Sequence, residues 1–177
     1  MRQKGNGFAV WLTGLPSSGK TGVSRELHRH LREHGIAAHI LDSDELRGIL
    51  TPHARYSAEE RDWFYGVLVF LMELLTKNGV NVLVAATGPR RAYREAARSR
   101  IERFAEVHVD CPVEVCKARD PKGLWARAEK GEIQTLPGVG EPYEAPLAPD
   151  LRIDTGKLTP EEAAGRVLTR LRQMNFF

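Results

Sequence analysis

The sequence has little from which to build a secreted or membrane-spanning protein. Its 177 residues hold two cysteines, Cys111 and Cys116, which form neither a C-x-x-C pair nor a disulfide framework. A reduced, cytoplasmic compartment is therefore the expectation. Long hydrophobic runs are missing as well. The most apolar stretch, Val67–Leu75, contains Glu73 and is far too short to cross a bilayer. The N-terminal MRQKGNG is basic but leads into no signal-peptide apolar stretch or cleavage site. Internal repeats and low-complexity tracts are absent. Charge of one sign is scarce too: the formal net charge is +3, and acidic residues are interspersed among the basic ones. A nucleic-acid binder concentrates its excess on a stripe. Small phosphate-bearing molecules are thus the expected partners, with no nucleic acid and no membrane.

What remains is an ordinary globular composition, 42% hydrophobic and 28% charged, over a length that suits one domain spanning residues 1–177. Phe8–Thr13 (FAVWLT) is short, apolar and bounded by glycines, as a buried parallel strand is. The helical pattern after it repeats at Val23, Leu27 and Leu31 and stops at Gly35. Ala37–Leu41 reads as a second strand. Ser57, with Glu60 three residues on, resembles a capping box opening a helix that ends at Asn78-Gly79. Val80–Ala86 is a third strand, and Pro89 opens an arginine-rich helix running to about Phe104. Ala105–Asp110 and Leu151–Ile153 complete the strands, Pro112 starts a short helix, and Thr159-Pro160-Glu161-Glu162 starts the last one. Strands alternating with helices predict an α/β fold: a five-stranded parallel sheet with helices on both faces.

Between the first strand and its helix lies Gly14-Leu15-Pro16-Ser17-Ser18-Gly19-Lys20-Thr21, a match to G-x-x-x-x-G-K-[ST]. Amides of such a loop and of the following helix surround phosphate oxygens, lysine bridges the terminal phosphates, and the hydroxyl of Thr21 ligates magnesium. The motif predicts a P-loop ATP site but does not name the acceptor. In parallel sheets, ligands bind beyond the carboxyl ends of the strands. Asp42-Ser43-Asp44 and the Thr87–Arg91 segment fall at that edge. Asp42 and Asp44 are candidates to orient magnesium or to accept a proton from an attacking hydroxyl, with capping of the next helix as the plainer alternative for Asp42 or Ser43. Arg47 follows one helical turn beyond Asp44. Among Arg90, Arg91 and Arg94, at least one is a candidate for substrate contact through a bidentate guanidinium fork, whereas Arg98, Arg100 and Arg103 read as a solvated face. His30 and His34 have metal-pair spacing without a third ligand and read as surface residues. Cys111 and Cys116 read as buried structural thiols.

The stretch RDPKGLWARAEKGEI (119–133), followed by GVGEPYEAP (138–146), resembles the adenylylsulfate kinase family. The resemblance runs through nearly the whole chain, including LDSDELR and FAEVHVDCPVEVCKARDPKGL. It implies a magnesium- and ATP-dependent kinase that phosphorylates the 3′-hydroxyl of adenosine 5′-phosphosulfate. It also implies a lid over residues 120–146, Lys122 as a phosphate-neutralising residue and Arg119 as a neighbour of the ATP base. Arg47, Arg61 and Arg91 would clamp the acceptor's anionic group. Dimers are common among such kinases, so a homodimer is one open assembly, although no self-complementary apolar surface can be read from the sequence. A proline- and glycine-bearing loop inside a compact domain fits an active-site cover on its own terms.

The departures gather in the acceptor half. The family's D-G-D-N-x-R is Asp42-Ser43-Asp44-Glu45-Leu46-Arg47 here. Its F-S-x-x-D-R-x-x-N-x-R-R becomes Tyr56–Val67, keeping Tyr56 and Arg61 but losing the asparagine and the double arginine. The I-S-P serine is Gly88, and the lid's F-T-G-I is Leu136-Pro137-Gly138-Val139, which removes an aromatic face for the acceptor's adenine. Two alternatives therefore stay open: a kinase of the same fold acting on another small hydroxyl acceptor, or a nucleotide-binding module without turnover.

Overall fold

The computed structural model describes residues 6–177. The chain runs β1 (Ala9–Thr13), α1 (Lys20–Glu33), β2 (Ala38–Asp42), α2 (Ser43–Leu50), α3 (Ala58–Lys77), β3 (Asn81–Ala85), α4 (Arg91–Arg100), β4 (Phe104–Asp110), α5 (Val113–Arg119), α6 (Leu124–Glu129), β5 (Leu151–Asp154) and α7 (Pro160–Gln173). Five parallel strands form one sheet in the order β2-β3-β1-β4-β5. The central strand β1 is buried throughout, which explains its unbroken apolar run.

Successive residues of the strands feed opposite layers, as the two-residue pleat requires. Val10 and Leu12 pack with Val23, Leu27 and Leu31 of α1 and with Val167 and Leu171 of α7. Ala9 and Trp11 pack on the other face with Phe64, Leu68 and Met72 of α3 and Tyr93 of α4. A third, smaller cluster joins Cys111, Cys116, Trp125, Ala128 and Leu136 beyond the strand ends. Both cysteines are free and buried.

Helix starts follow local chemistry. The Thr159 hydroxyl accepts from the Glu162 N–H while the Glu162 carboxylate accepts from the Thr159 N–H, a complete capping box. At α3 the box is only half formed. Ser57 accepts from the Glu60 N–H, but the Glu60 carboxylate reaches past it to the N–H groups of Arg55 and Tyr56. Glu60 thereby fixes the chain just ahead of the helix, where Tyr56 sits at φ 55.

The arginine-rich helix is shorter than its charge pattern suggested. It stops at Arg100, and Phe104, placed at the helix end from sequence, opens β4 opposite Ala9 of β1. Phe104 is buried against the second layer, and that burial wins over continued helical periodicity. Within 120–146, α6 was not foreseen: its six residues are too few for a periodic signal, yet they bury Trp125 completely.

Candidate functional site

The phosphate loop leaves β1 at Gly14, where a Cβ would lie 2.3 Å from the Val109 carbonyl oxygen, so only glycine lets the loop pack on β4. The loop then enters α1 through Gly19 at φ 94. No side chain caps α1 and its first turn carries no acid. Its leading N–H groups are therefore free to meet an anion, and the helix dipole favours one there. The Thr155 hydroxyl donates to the Ser18 carbonyl at 2.7 Å and braces the loop from the end of β5.

Lys20 folds back along this loop, its ammonium donating to the carbonyls of Leu15 (2.7 Å) and Gly14 (3.0 Å). Removal from water pushes its pKa down to about 8, against the opposing pull of the Cys116 thiol and the Asp44 and Asp42 carboxylates. The Thr21 hydroxyl donates to Asp42 Oδ2 at 3.0 Å, while Asp42 Oδ1 accepts the Asp44 N–H at 2.9 Å. Asp42 thus caps α2, the plainer of its two sequence readings, and with the same carboxylate faces the phosphate loop through Thr21. Asp44 is exposed at the cavity and pairs with the Lys122 ammonium of the 120–146 segment.

A cavity of about 940 Å³ opens between these elements. On one side it is lined by Pro16, Ser17, Gly19, Lys20 and Thr21. Asp44 and Arg47 of α2 face them, with Tyr56 and Arg61 at the start of α3. Arg119, Lys122 and Leu136 line the remaining wall. Arg47 lies over the Phe64 ring, its Cζ 3.9 Å from the centroid, with the Tyr56 ring centroid at 4.9 Å. Its Nη1 is buried without a hydrogen-bond partner among the described residues, although Glu60 Oε1 stands 3.6 Å away. Arg61 is buried and spends its Nε on the Tyr56 carbonyl and its Nη2 on the Thr135 carbonyl. Arg119 Nη2 donates to the Thr155 carbonyl, which sets its guanidinium beside Gly19.

The arginines of α4 are used differently from the sequence expectation. Arg91 lies outside the cavity: its N–H donates to the Glu144 carboxylate and its Nε to the Ala145 carbonyl. The helix end explains the contact: α4 has no capping side chain and no acid in its first turn, and Glu144 supplies both from a distant part of the chain. Arg94 is buried, paired with Glu106 at 2.6 Å and donating to the Gly88 and Glu144 carbonyls. Arg90 pairs with Asp62 on the surface. Together Arg91 and Arg94 tie the end of the 120–146 segment to the sheet. Arg98 and Arg103 are likewise committed to partners, Asp150 for the first and the Phe176 carbonyl for the second.

Sequence reasoning missed several supporting groups. Trp125 of α6 donates its indole N–H to the Pro16 carbonyl at 3.2 Å, tying the 120–146 segment to the phosphate loop. Tyr143 meets the Thr13 hydroxyl at 3.0 Å, and burial lifts its phenol to about 12. Tyr65 lines the cavity, although the sequence assigned it no role within Tyr56–Val67. The His34 ring meets the His30 carbonyl of its own helix at 2.7 Å.

A family model for adenylylsulphate kinase matches residues 6–154. The chain belongs to the adenylylsulphate kinase family. It is 40% identical over 170 residues to a probable adenylyl-sulfate kinase of Pyrococcus abyssi, covering 96% of this chain and 98% of that one. An adenylyl-sulfate kinase of Halothermothrix orenii is 42% identical over 170 residues, covering 96% and 92%. Among solved structures, the Mycobacterium tuberculosis APS kinase CysC in complex with AMPPNP and APS superposes with a TM-score of 0.89 at 38% identity, covering 95% of this chain and 99% of that one. A shikimate kinase from Aquifex aeolicus, at 22% identity and a TM-score of 0.60, shares the fold.

Proposed function

We propose that this kinase transfers the terminal phosphoryl group of ATP to the 3′-hydroxyl of adenosine 5′-phosphosulfate, yielding ADP and 3′-phosphoadenosine 5′-phosphosulfate. The observation that carries the reading is a single cavity with a phosphate loop on one wall and a cationic, aromatic-backed wall opposite. ATP lies with its phosphates on the loop amides and the start of α1, and its base towards Arg119. Lys20 leaves the carbonyls of Gly14 and Leu15 to meet the charge that develops on the transferred group. Arg47 and Arg61 receive the acceptor's anionic end, Tyr56 and Leu136 flank it, and Arg91 serves by anchoring the segment that covers it.

Both Asp42 oxygens are engaged, by the Thr21 hydroxyl and the Asp44 N–H. Asp44 is therefore the carboxylate placed to orient and deprotonate the attacking hydroxyl, with Lys122 beside it to neutralise phosphate charge. Thr21 and Asp42 supply the hard oxygen donors that suit magnesium and would hold an ion whose charge offsets that of the phosphates. Residues 120–146 act as a lid that excludes water from the reacting phosphoryl group.

A cytoplasmic setting fits the two free, buried thiols, and no helix among the described residues is long and apolar enough to cross a membrane. An APS kinase from Thiobacillus denitrificans is hexameric. In this chain, Trp63, Phe70 and Leu74 stand exposed along α3 and form the face on which a second copy would pack.

A coupled ADP-release assay over an acceptor panel tests the function. Stimulation by adenosine 5′-phosphosulfate above sugars and other nucleotides is expected. Turnover of a different alcohol with none of adenosine 5′-phosphosulfate would remove the proposal.

A further inference from the structure

Two donors at one end of the cavity have no acceptor. One is Arg47 Nη1, buried and without a hydrogen-bond partner among the described residues. The other belongs to Tyr65, 3% exposed, which reaches the cavity from the second turn of α3. Its hydroxyl oxygen accepts the Gly88 N–H at 3.0 Å. No acceptor among the described residues receives its O–H proton. A buried hydroxyl that accepts but does not donate is a group waiting for a partner.

The surroundings say what that partner must be. Burial raises the Tyr65 pKa, and although the Arg47 and Arg61 cations and the Gly88 N–H pull it back, the net direction is up, so the phenol keeps its proton at neutral pH. Both cations lie on the same cavity wall. A protonated donor between cations suits an anionic oxygen and repels a cationic group. The ring is held on three sides: stacked on Tyr93 at 4.5 Å, stacked with Trp11 at 6.1 Å, and edge-on to Phe64 at 5.3 Å. Gly88 is equally constrained, since at φ 53 a Cβ there would come within 2.9 Å of the Trp11 ring. The hydroxyl is thus fixed in place, and only its proton is free to turn.

We propose that Tyr65 is an acceptor-binding residue whose hydroxyl donates a hydrogen bond to an anionic oxygen of the bound acceptor, beside Arg47. The inference rests on the functional reading above and deepens it. It assigns an anion-recognising role within Tyr56–Val67, at a position where the family pattern specifies no residue type and next to the site of the lost asparagine. This chain rebuilds part of its acceptor contact from the helix core.

The test compares the wild-type protein with Tyr65→Phe and with Tyr93→Phe. The second variant removes a hydroxyl from the same ring stack that donates to Asp62, away from the cavity. Hydrogen bonds to charged groups contribute enough for the KM for adenosine 5′-phosphosulfate to rise about tenfold or more in Tyr65→Phe. The KM for ATP should stay within about twofold, and Tyr93→Phe should leave both constants unchanged. An unchanged acceptor KM overturns the proposal, as does a parallel rise in both constants or the same loss in Tyr93→Phe. If Tyr65→Phe does not fold, a crystal structure of the wild-type protein with ADP and adenosine 5′-phosphosulfate decides. An anionic oxygen within hydrogen-bond distance of Tyr65 Oη supports the assignment, and none within that distance refutes it. A wild-type protein that leaves adenosine 5′-phosphosulfate untouched fails the functional reading instead, which is visible before any variant is made.

Discussion

Lys20 stands in two environments at once, enclosed by the loop that it must leave to reach phosphate. Its pKa of about 8 in the free protein, down from 10.5, has two consequences of opposite sign. For folding, the unfolded chain holds the proton up to 10.5 while the native chain releases it near 8, so the burial penalty is full below 8 and relieved as pH rises between the two values. For nucleotide binding, loss of the ammonium above 8 means that ATP must draw a proton back, and affinity should fall by up to about tenfold per pH unit. Calorimetry of ATP binding in buffers of different ionisation enthalpy reads that uptake directly. Lys20→Met should abolish phosphotransfer, remove the proton uptake, and flatten this contribution to thermal stability between about 8 and 10.5. Proton uptake that persists in the variant would assign it to another group. At this scale the loop's place between β1 and α1 was legible, because its glycines act through backbone geometry that the motif itself specifies, while the fold-back of Lys20 onto the Gly14 and Leu15 carbonyls was not. Tyr65 was not legible, since only the fold reveals that its hydroxyl meets the Gly88 N–H from a distant segment.

Among the elements, the 120–146 segment joins the sequence to the chemistry most closely. It is held at both ends: by Trp125 on the Pro16 carbonyl, and by Glu144 and Ala145 on Arg91 and Arg94. Trp125→Ala removes a fully buried side chain, and large aromatic truncations in cores cost about 3–5 kcal/mol. Because the site is local to the lid, the loss should show as faster limited proteolysis within 120–146 and a raised KM for ATP. Proteolysis at the wild-type rate would mean that the remaining ties, among them Arg61 on the Thr135 carbonyl and Arg91 and Arg94 on the 144–145 stretch, hold the segment without Trp125. The strands and the long helices were readable, since burial of both sheet faces imposes continuous apolar strands and each amphipathic helix shows its period. The end of α4 was misread for the converse reason. Its charged residues carry a helical pattern up to Arg103, while the sheet register claims Phe104 opposite Ala9. Arg91 shows the same limit: its nearness to the strand edge was legible, but its pairing with Glu144 depends on a segment some fifty residues away.

At the scale of the whole molecule, one apolar surface has no partner among the described residues. Trp63 is 51% exposed, Phe70 55% and Leu74 47%, spaced so that they share one side of α3. Phe70→Asp should shift the molecule towards monomers in sedimentation velocity with its fold intact, and an unchanged sedimentation coefficient would place any assembly elsewhere. The inner side of the same helix brings Tyr65 to the cavity and sets Phe64 beneath Arg47, so one element carries both the exposed apolar side chains and part of the cavity lining. The acceptor itself is the claim on which the account stands. It is tested most directly by supplying ATP labelled in its terminal phosphoryl group together with adenosine 5′-phosphosulfate, and locating the label by phosphorus NMR and mass spectrometry. The account predicts a product phosphorylated at the 3′-hydroxyl in step with ADP release. Label recovered only in inorganic phosphate, or incorporated into another alcohol while adenosine 5′-phosphosulfate is recovered unchanged, would contradict it.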